Sequence, residues 1–314
     1  MGQAIACASC GCSLNSDWGT QGISTSEGWS IDVHYDYLNQ NQLRSGTGSI
    51  TPATAAVTPN PYTPGTNAEV EQFTKSLTLT STLDYNNGDT WGVSLVVPTL
   101  ERIHSTLGTG SDGFTGGNGY SSSTQGIGDI RLIGRYFGMT EQRNFGLQYG
   151  LKLPTGNTTQ VSNDGNSIVD PGLQLGTGTT DLILGAYYYD NFDENWEYFG
   201  QAMLQTALNY STMAAGSYRP GDSLNLNVGI RNRSFESFIP TLQINSRIVK
   251  VDQGDAADTF STGGKLVYLT PGVIIPLGDN LSTYASVQLP IYQNVNGIQL
   301  TPSFIFSAGM RFVF

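Results

Sequence analysis

Along much of this 314-residue chain, apolar side chains recur at every second position. Between residues 304 and 314, Phe304, Phe306, Ala308, Met310, Phe312 and Phe314 fall on one face of an extended segment, and Ser307, Gly309 and Arg311 fall on the other. Phe145, Leu147, Tyr149, Leu151 and Leu153 oppose Gly146, Gln148, Gly150 and Lys152 in the same way. Leu224, Leu226, Val228 and Ile230 oppose Asn225, Asn227, Gly229 and Arg231. Leu281, Thr283, Ala285, Val287 and Leu289 oppose Ser282, Tyr284, Ser286 and Gln288. Weaker alternation runs through residues 30–38, 77–85, 91–97, 130–136, 182–188, 196–208, 238–247 and 265–275. A period of two predicts strands with one apolar face, and these segments make about twelve.

The connections carry a second signal. Long links near residues 40–69, 103–126, 155–178, 210–222 and 251–263 alternate with short ones at Asn86–Asp89, 138–144, 190–195, 232–237 and 276–280. Only Asn294–Gly297, due to be long, is short. Long loops on one rim and tight turns on the other mark an outer-membrane barrel, and a soluble sandwich has no reason for that alternation. Asn87-Gly88 and Asn296-Gly297 are hairpin dipeptides, since two-residue turns need positive φ. The expectation is an all-β, transmembrane, antiparallel up-and-down β-barrel spanning residues 28–314 in the outer membrane of a Gram-negative bacterium. Residues 1–27 form a cysteine-containing segment before it. Both termini lie on the short-turn, periplasmic side, and outer-membrane lipid surrounds the wall. Pro98, Pro271 and Pro290 fall inside predicted strands and so mark strand ends or bulges. The Gly-rich stretch at 108–126 reads as a mobile surface loop, because a phosphate cradle needs a following helix and none is predicted.

Composition sharpens this picture. Charged residues make up 12% of the chain, with 39 Gly, 16 Tyr and 13 Phe. Soluble domains carry about 25% charged residues, so a strand-rich chain facing hydrocarbon fits better. No apolar run reaches the length of a membrane helix, which leaves a closed barrel as the route across a bilayer. The net charge of −11 offers no basic face for phosphates and argues against nucleic acid as a partner. Met1-Gly2-Gln3-Ala4-Ile5-Ala6-Cys7 reads as a start residue on an already trimmed chain, with no complete signal peptide in view. Ala4-Ile5-Ala6 also matches the remnant of a cleavage site.

Apolar faces toward lipid put the opposite faces in a lumen. Those positions hold Asp32, His34, Asp36, Asp129, Arg131, Arg135, Gln148, Lys152, Asp181, Glu197, Gln201, Gln205, Asn225, Asn227, Arg231, Gln243, Asn245, Arg247, Tyr284, Gln288, Tyr292 and Arg311. An Arg or Lys facing lipid at mid-depth costs about 2–4 kcal/mol, so their placement on the polar face supports the register. The mixed charges serve either a cross-linked, filled interior or an aqueous path. Eight strands fill with side chains and sixteen leave a channel, so twelve decides neither.

Chemistry beyond passage has two candidates. A Ser–His hydrolase needs a third group to orient the imidazole. His34 lies between Asp32 and Asp36 at about 7 Å along the strand, too far for direct bonds, and His104 adjoins Ser105. No catalytic residue is assigned, and the chain is not expected to be an enzyme. Cys7, Cys10 and Cys12 have spacings that let a short loop bring three thiolates to one soft metal, Cu or Zn. A disulfide with one thiol left over, a lipid anchor at Cys7, or idle thiols are the alternatives.

Residues 126–314 contain Gly150-Leu151-Lys152-Leu153-Pro154-Thr155-Gly156, Asp170–Gly178 with Asp181, Tyr218–Asn225, Tyr268-Leu269-Thr270-Pro271-Gly272 and Gln288–Pro302. Together these motifs resemble those of the outer-membrane family named for the meta-pathway of phenol degradation, whose members are labelled as transporters. Members with a cysteine-rich start also resemble Cys7–Cys12. The resemblance implies an outer-membrane barrel, implies transport loosely, and carries over no catalytic residue. Phe314 resembles the terminal signal read by the barrel assembly machinery. The expected function is a passive channel or transporter for small solutes, aromatic compounds among them. A barrel with a metal-binding or redox-linked cysteine segment and a largely plugged barrel are the alternatives.

Overall fold

The computed structural model describes residues 27–62, 65–108 and 119–314. Its strands are β1 (Gly28–Gly46), β2 (Gly48–Ser49), β3 (Glu71–Asn86), β4 (Trp91–Thr106), β5 (Tyr120–Ile127), β6 (Arg131–Tyr136), β7 (Phe145–Lys152) and β8 (Asp181–Asn191). They continue with β9 (Trp196–Ala207), β10 (Ser211–Met213), β11 (Gly216–Tyr218), β12 (Ser223–Asn232), β13 (Ile239–Val249), β14 (Gly264–Pro276) and β15 (Leu281–Val313). One short helix, α1 (Pro52–Ala56), lies in the first long loop, with Thr51 as its N-cap.

Eleven of these elements close a ring in the order β1, β3, β4, β6, β7, β8, β9, β12, β13, β14 and β15, and β15 pairs back to β1. All pairings in the ring are antiparallel. β15 doubles back at Gly297, whose φ is +54°. Its first part pairs with β14 and its last part with β1. Thr283 Oγ1 donates to Gly309 O at 2.8 Å, so the two parts lie side by side as two staves. At the seam, Trp29 N donates to Phe314 O and Phe314 N to Trp29 O, at 3.2 and 2.9 Å. Closure leaves no strand edge in the ring, which is the condition for crossing hydrocarbon.

The outer wall is apolar. Ile31, Leu83, Leu95, Leu132, Leu151, Leu184, Leu204, Val228, Ile244 and Met310 are all exposed, and each alternates with a buried or partly buried neighbour. Aromatic rings gather on the short-turn rim. Trp29, Tyr85 and Trp91 stand in a row at 5.0 and 5.6 Å, and Phe312 stacks near Phe314 at 5.9 Å. Aromatic girdles of this kind sit at a membrane–water boundary. Among the described residues no helix is long and apolar enough to cross a membrane.

Two expectations change. The link predicted at 103–126 is strand at both ends: β4 runs to Thr106 and β5 begins at Tyr120. β4 is long enough to pair with β6 through Trp91–Val96 and with β5 through Thr99–Thr106. Polar alternation over Tyr120–Ile127, with no apolar face, concealed that strand. Pro98 marks the exchange of partners, where its missing N–H costs nothing and its carbonyl accepts from Gly128 N. Pro290 adjoins a register shift between β14 and β15. The extra residue turns both Ile291 and Tyr292 outward, so Tyr292 does not line the lumen.

Candidate functional site

The inner face of the barrel divides into two halves. In the half toward the short turns, side chains fill the space and pair with one another. Arg135 is 1% exposed and bonds Asp84 Oδ1 at 2.5 Å, and Ser94 Oγ donates to the same oxygen. Arg311 approaches Asp84 at 3.9 Å and donates to Ser30 Oγ. Glu197 meets Arg231 and Arg233, each at 2.5 Å, and Arg231 lies over the Phe199 ring. His34 stands between two aspartates, with Nδ1 at 3.1 Å from Asp32 Oδ1 and Nε2 at 3.6 Å from Asp36 Oδ2. The expectation that these groups stand too far apart fails, because same-face side chains lean toward one another. Tyr284 OH donates to both oxygens of Asp32.

Glycines on the inner face make room for rings. A Cβ at Gly146 would meet Tyr187, one at Gly229 would meet Phe199 and one at Gly309 would meet Tyr284, each within 2.6 Å. An amide belt crosses this half. Gln201 donates to Gln148 at 2.8 Å, Asn227 to Gln201 at 3.2 Å, Asn245 to Asn227 at 2.9 Å and Thr270 to Asn245 at 2.5 Å. Gln148 is on β7 and Gln201 on β9, so the first bond passes over β8 at Gly185, opposite Gln148 in the register. A Cβ at Gly185 would sit 3.0 Å from Gln148 Oε1.

The half toward the long loops is different. The segment between β7 and β8 folds inward and is pinned at its neck by Asp129. That carboxylate accepts Gly156 N and Thr177 N, each at 3.0 Å, and Lys152 Nζ at 2.7 Å. Lys152 also faces Asp181 at 3.3 Å and donates to Thr179 O at 2.9 Å. Gly156 and Gly176 touch so closely that a Cβ on Gly156 would lie 2.6 Å from Gly176 N. Lower in the loop, a 3-10 turn at Pro171–Leu173 buries Leu173 completely. Arg102 holds this turn by donating to Gly172 O and Gln174 O at 3.1 and 2.6 Å, and Tyr120 OH donates to Asp170 at 2.5 Å. Two motifs far apart in the chain, 150–156 and 170–178, thus meet around one aspartate.

The other long loops brace each other. Asp252 accepts Tyr218 OH at 2.9 Å and Gly221 N at 2.8 Å. Burial pushes Asp252 up to about 6, against the pull of those two donors. Burial also pushes Glu69 up to about 7; the Thr106 hydroxyl opposes this and the nearby Asp258 adds to it. Asp258 is itself raised by burial.

Beneath these loops lies a cavity of about 210 Å³, walled by residues of nine ring strands and by the inserted turn. Asp36, Asp129, Arg131, Lys152, Asp181, Gln205 and Arg247 of the predicted set line it, together with Arg102 and Asp252. Asp32, His34, Arg135, Gln148, Glu197, Gln201, Asn227, Arg231, Gln243, Asn245, Tyr284 and Gln288 are buried but lie outside its lining. Asn225 bonds Arg247, and Arg311 stays near the seam. His104 accepts or donates at Thr74 Oγ1, 2.8 Å, while Ser105 turns to Gln72. Cys7, Cys10 and Cys12 lie outside the described residues.

The sequence reading missed Asp84, Arg102, Asp252 and Glu69. Asp84 shares the polar face of Thr78, Thr80 and Thr82, so alternation could have found it. The other three fell in segments read as loop or as a strand's end, where no period applies.

Comparison with solved structures finds this architecture in an outer membrane channel from Pseudomonas putida F1, at 14% identity and a TM-score of 0.64, covering 96% of this chain and all of that one. The fold is that of an outer-membrane β-barrel. The CymD monoaromatic hydrocarbon channel (10% identity, TM-score 0.48, 99% of this chain and 98% of that one) is more distant. So is the Ralstonia pickettii toluene transporter TbuX (12%, 0.47, 100% and 96%). No family model matches the chain, and no curated protein matches it.

Proposed function

We propose that this chain is a passive channel of the Gram-negative outer membrane that admits small solutes, aromatic compounds among them, into its lumen from the long-loop side. The observation that carries the reading is a polar-walled cavity inside a closed barrel, set beneath an inward-folded loop and sharing its fold with an outer membrane channel. The motif resemblance to the phenol meta-pathway family and the apolar part of the cavity wall, including Leu38, Val96, Leu100 and Leu175, support aromatic solutes. The long loops face outward, both termini face the periplasm, and the strand ending in Phe314 engages the barrel assembly machinery. Purified protein in planar bilayers is expected to give small, discrete ion conductances, because half of the lumen is filled. A silent barrel at all voltages would overturn the channel and favour the plugged alternative, for which the buried amide belt speaks.

The cysteine spacing supports an additional role, in which Cys7, Cys10 and Cys12 of the periplasmic segment 1–27 hold a Cu or Zn ion. Metal analysis of anaerobically purified protein is expected to show one equivalent, lost in a triple Cys→Ser variant. Equal metal in both removes this role.

A further inference from the structure

The hydrogen-bonding capacity of the cavity wall is lopsided. Each carboxylate there already holds a donor or a cation. Asp129 takes Lys152 and two backbone N–H groups, and Asp181 takes Thr179, Gln205 and Lys152. Asp36 takes Ser307, and Asp252 takes Tyr218 and Gly221 N. The guanidinium of Arg247 is otherwise. Among the described residues its one bond goes to a neutral amide, Asn225 Oδ1 at 3.2 Å, and its buried Nε meets no partner. A guanidinium offers five donors in a fork that fits a carboxylate. Arg102, on the opposite side of the cavity wall in chain order, likewise donates among the described residues to carbonyls, Gly172 O and Gln174 O. An entering group therefore meets spare donors at Arg247 and Arg102.

Apolar side chains share the wall with these polar groups. Leu38, Val96, Leu100 and Val249 face the same space. A cavity of about 150 Å³ is enough to hold a benzene ring, and this one is about 210 Å³. We infer that the lumen cavity is a binding site for small aromatic carboxylates, with Arg247 receiving the carboxylate and the aliphatic wall receiving the ring. This rests on the channel reading for its direction of entry, but not for the binding itself.

Benzoate and its neutral isostere benzamide are suitable probes, measured by equilibrium dialysis against the full-length barrel in detergent. Benzoate is expected to bind about ten-fold more tightly, the worth of one charge-assisted hydrogen bond in a partly buried site. Arg247→Gln is expected to erase that preference, with benzoate binding falling about ten-fold and benzamide binding falling less because the amide still offers a donor, and Arg247→Lys to keep part of it. Arg143→Gln, which alters an exposed guanidinium on the short-turn rim, serves as the control. Equal binding of the two probes by the wild-type barrel, or a preserved preference in folded Arg247→Gln, overturns the proposal. The wild-type comparison needs no variant and decides the matter even where Arg247→Gln fails to fold. Conductance measured in parallel separates the two ideas: a conducting barrel that ignores the carboxylate removes this site and leaves the channel, while a silent barrel that prefers benzoate does the reverse.

Discussion

The two halves of the lumen use the same residue types to opposite ends. Toward the short turns, Arg135, Asp84, Glu197, Arg231, Asp32 and His34 pair with each other, and rings seated over glycines take up the remaining space. Toward the long loops, Asp129, Lys152 and Asp181 secure a loop, and room is left beneath it. Buried charge is costly unless paired. In one half the pairing fills the barrel. In the other the pairing is confined to the wall and holds the roof. Strand count alone does not predict this difference, since the same staves run through both halves.

Removing a charge from each half should have different consequences. Asp84→Ala leaves Arg135 buried without its carboxylate and is expected to destabilise the barrel by about 3–5 kcal/mol, read from urea unfolding followed by tryptophan fluorescence. An unchanged midpoint would mean that the short-turn half is wetter than described. Asp129→Ala is expected to act on the roof instead. Losing charge-assisted bonds worth about 1.5–3 kcal/mol each should expose residues 157–168 to limited proteolysis, while the melting of the barrel moves little. Gly185→Ala sharpens the contrast at finer scale. Its Cβ would lie 3.0 Å from both Gln148 Oε1 and Ala202 O, and overpacking of this kind costs about 1–3 kcal/mol. The loss should appear in unfolding, with no change in loop proteolysis.

The smallest effect expected is a pH response of the roof. Glu69 is held near 7 in the folded protein against an ordinary 4.5, and Asp252 near 6 against 3.8. Folded values above unfolded ones mean that the folded loops bind protons more tightly. Their contribution is complete below the ordinary values and is lost as pH rises through the folded ones. Hydrogen exchange in residues 47–62 and 250–263, corrected for its intrinsic pH dependence, should therefore quicken as pH rises from 4.5 to 7. Glu69→Gln should flatten the response. A response of the opposite sign would show that these carboxylates stay ionised in the folded loops.

Alternation made the strands legible because a closed barrel exposes one face of every stave to hydrocarbon and turns the other inward. Spacing alone puts Leu147, Tyr149 and Leu151 on one face and Gln148 and Lys152 on the other; in the structure the first three are exposed and the other two buried. The period fails where geometry breaks it. A bulge beside Pro290 reverses the side of Tyr292, and β5 lacks an apolar face to announce it. The site was legible only in part. Inner-face residues were readable as a set, but the division into a filled half and a hollow half depends on which side chains reach across neighbouring strands. Neither the inward fold of residues 155–178 nor the meeting of Gly156, Gly176 and Asp129 has any local signature, because the contact joins segments that the chain keeps apart.

Thiol reactivity tests the central division most directly. In a background with Cys7, Cys10 and Cys12 changed to Ser, single cysteines replace Ser223 on the cavity wall and Ser94 in the filled half. A small charged methanethiosulfonate reagent is then applied to the barrel in detergent, where both mouths are accessible. Ser223→Cys should react readily and Ser94→Cys hardly at all. Equal rates at the two positions would contradict a lumen that is packed at one end and hollow at the other.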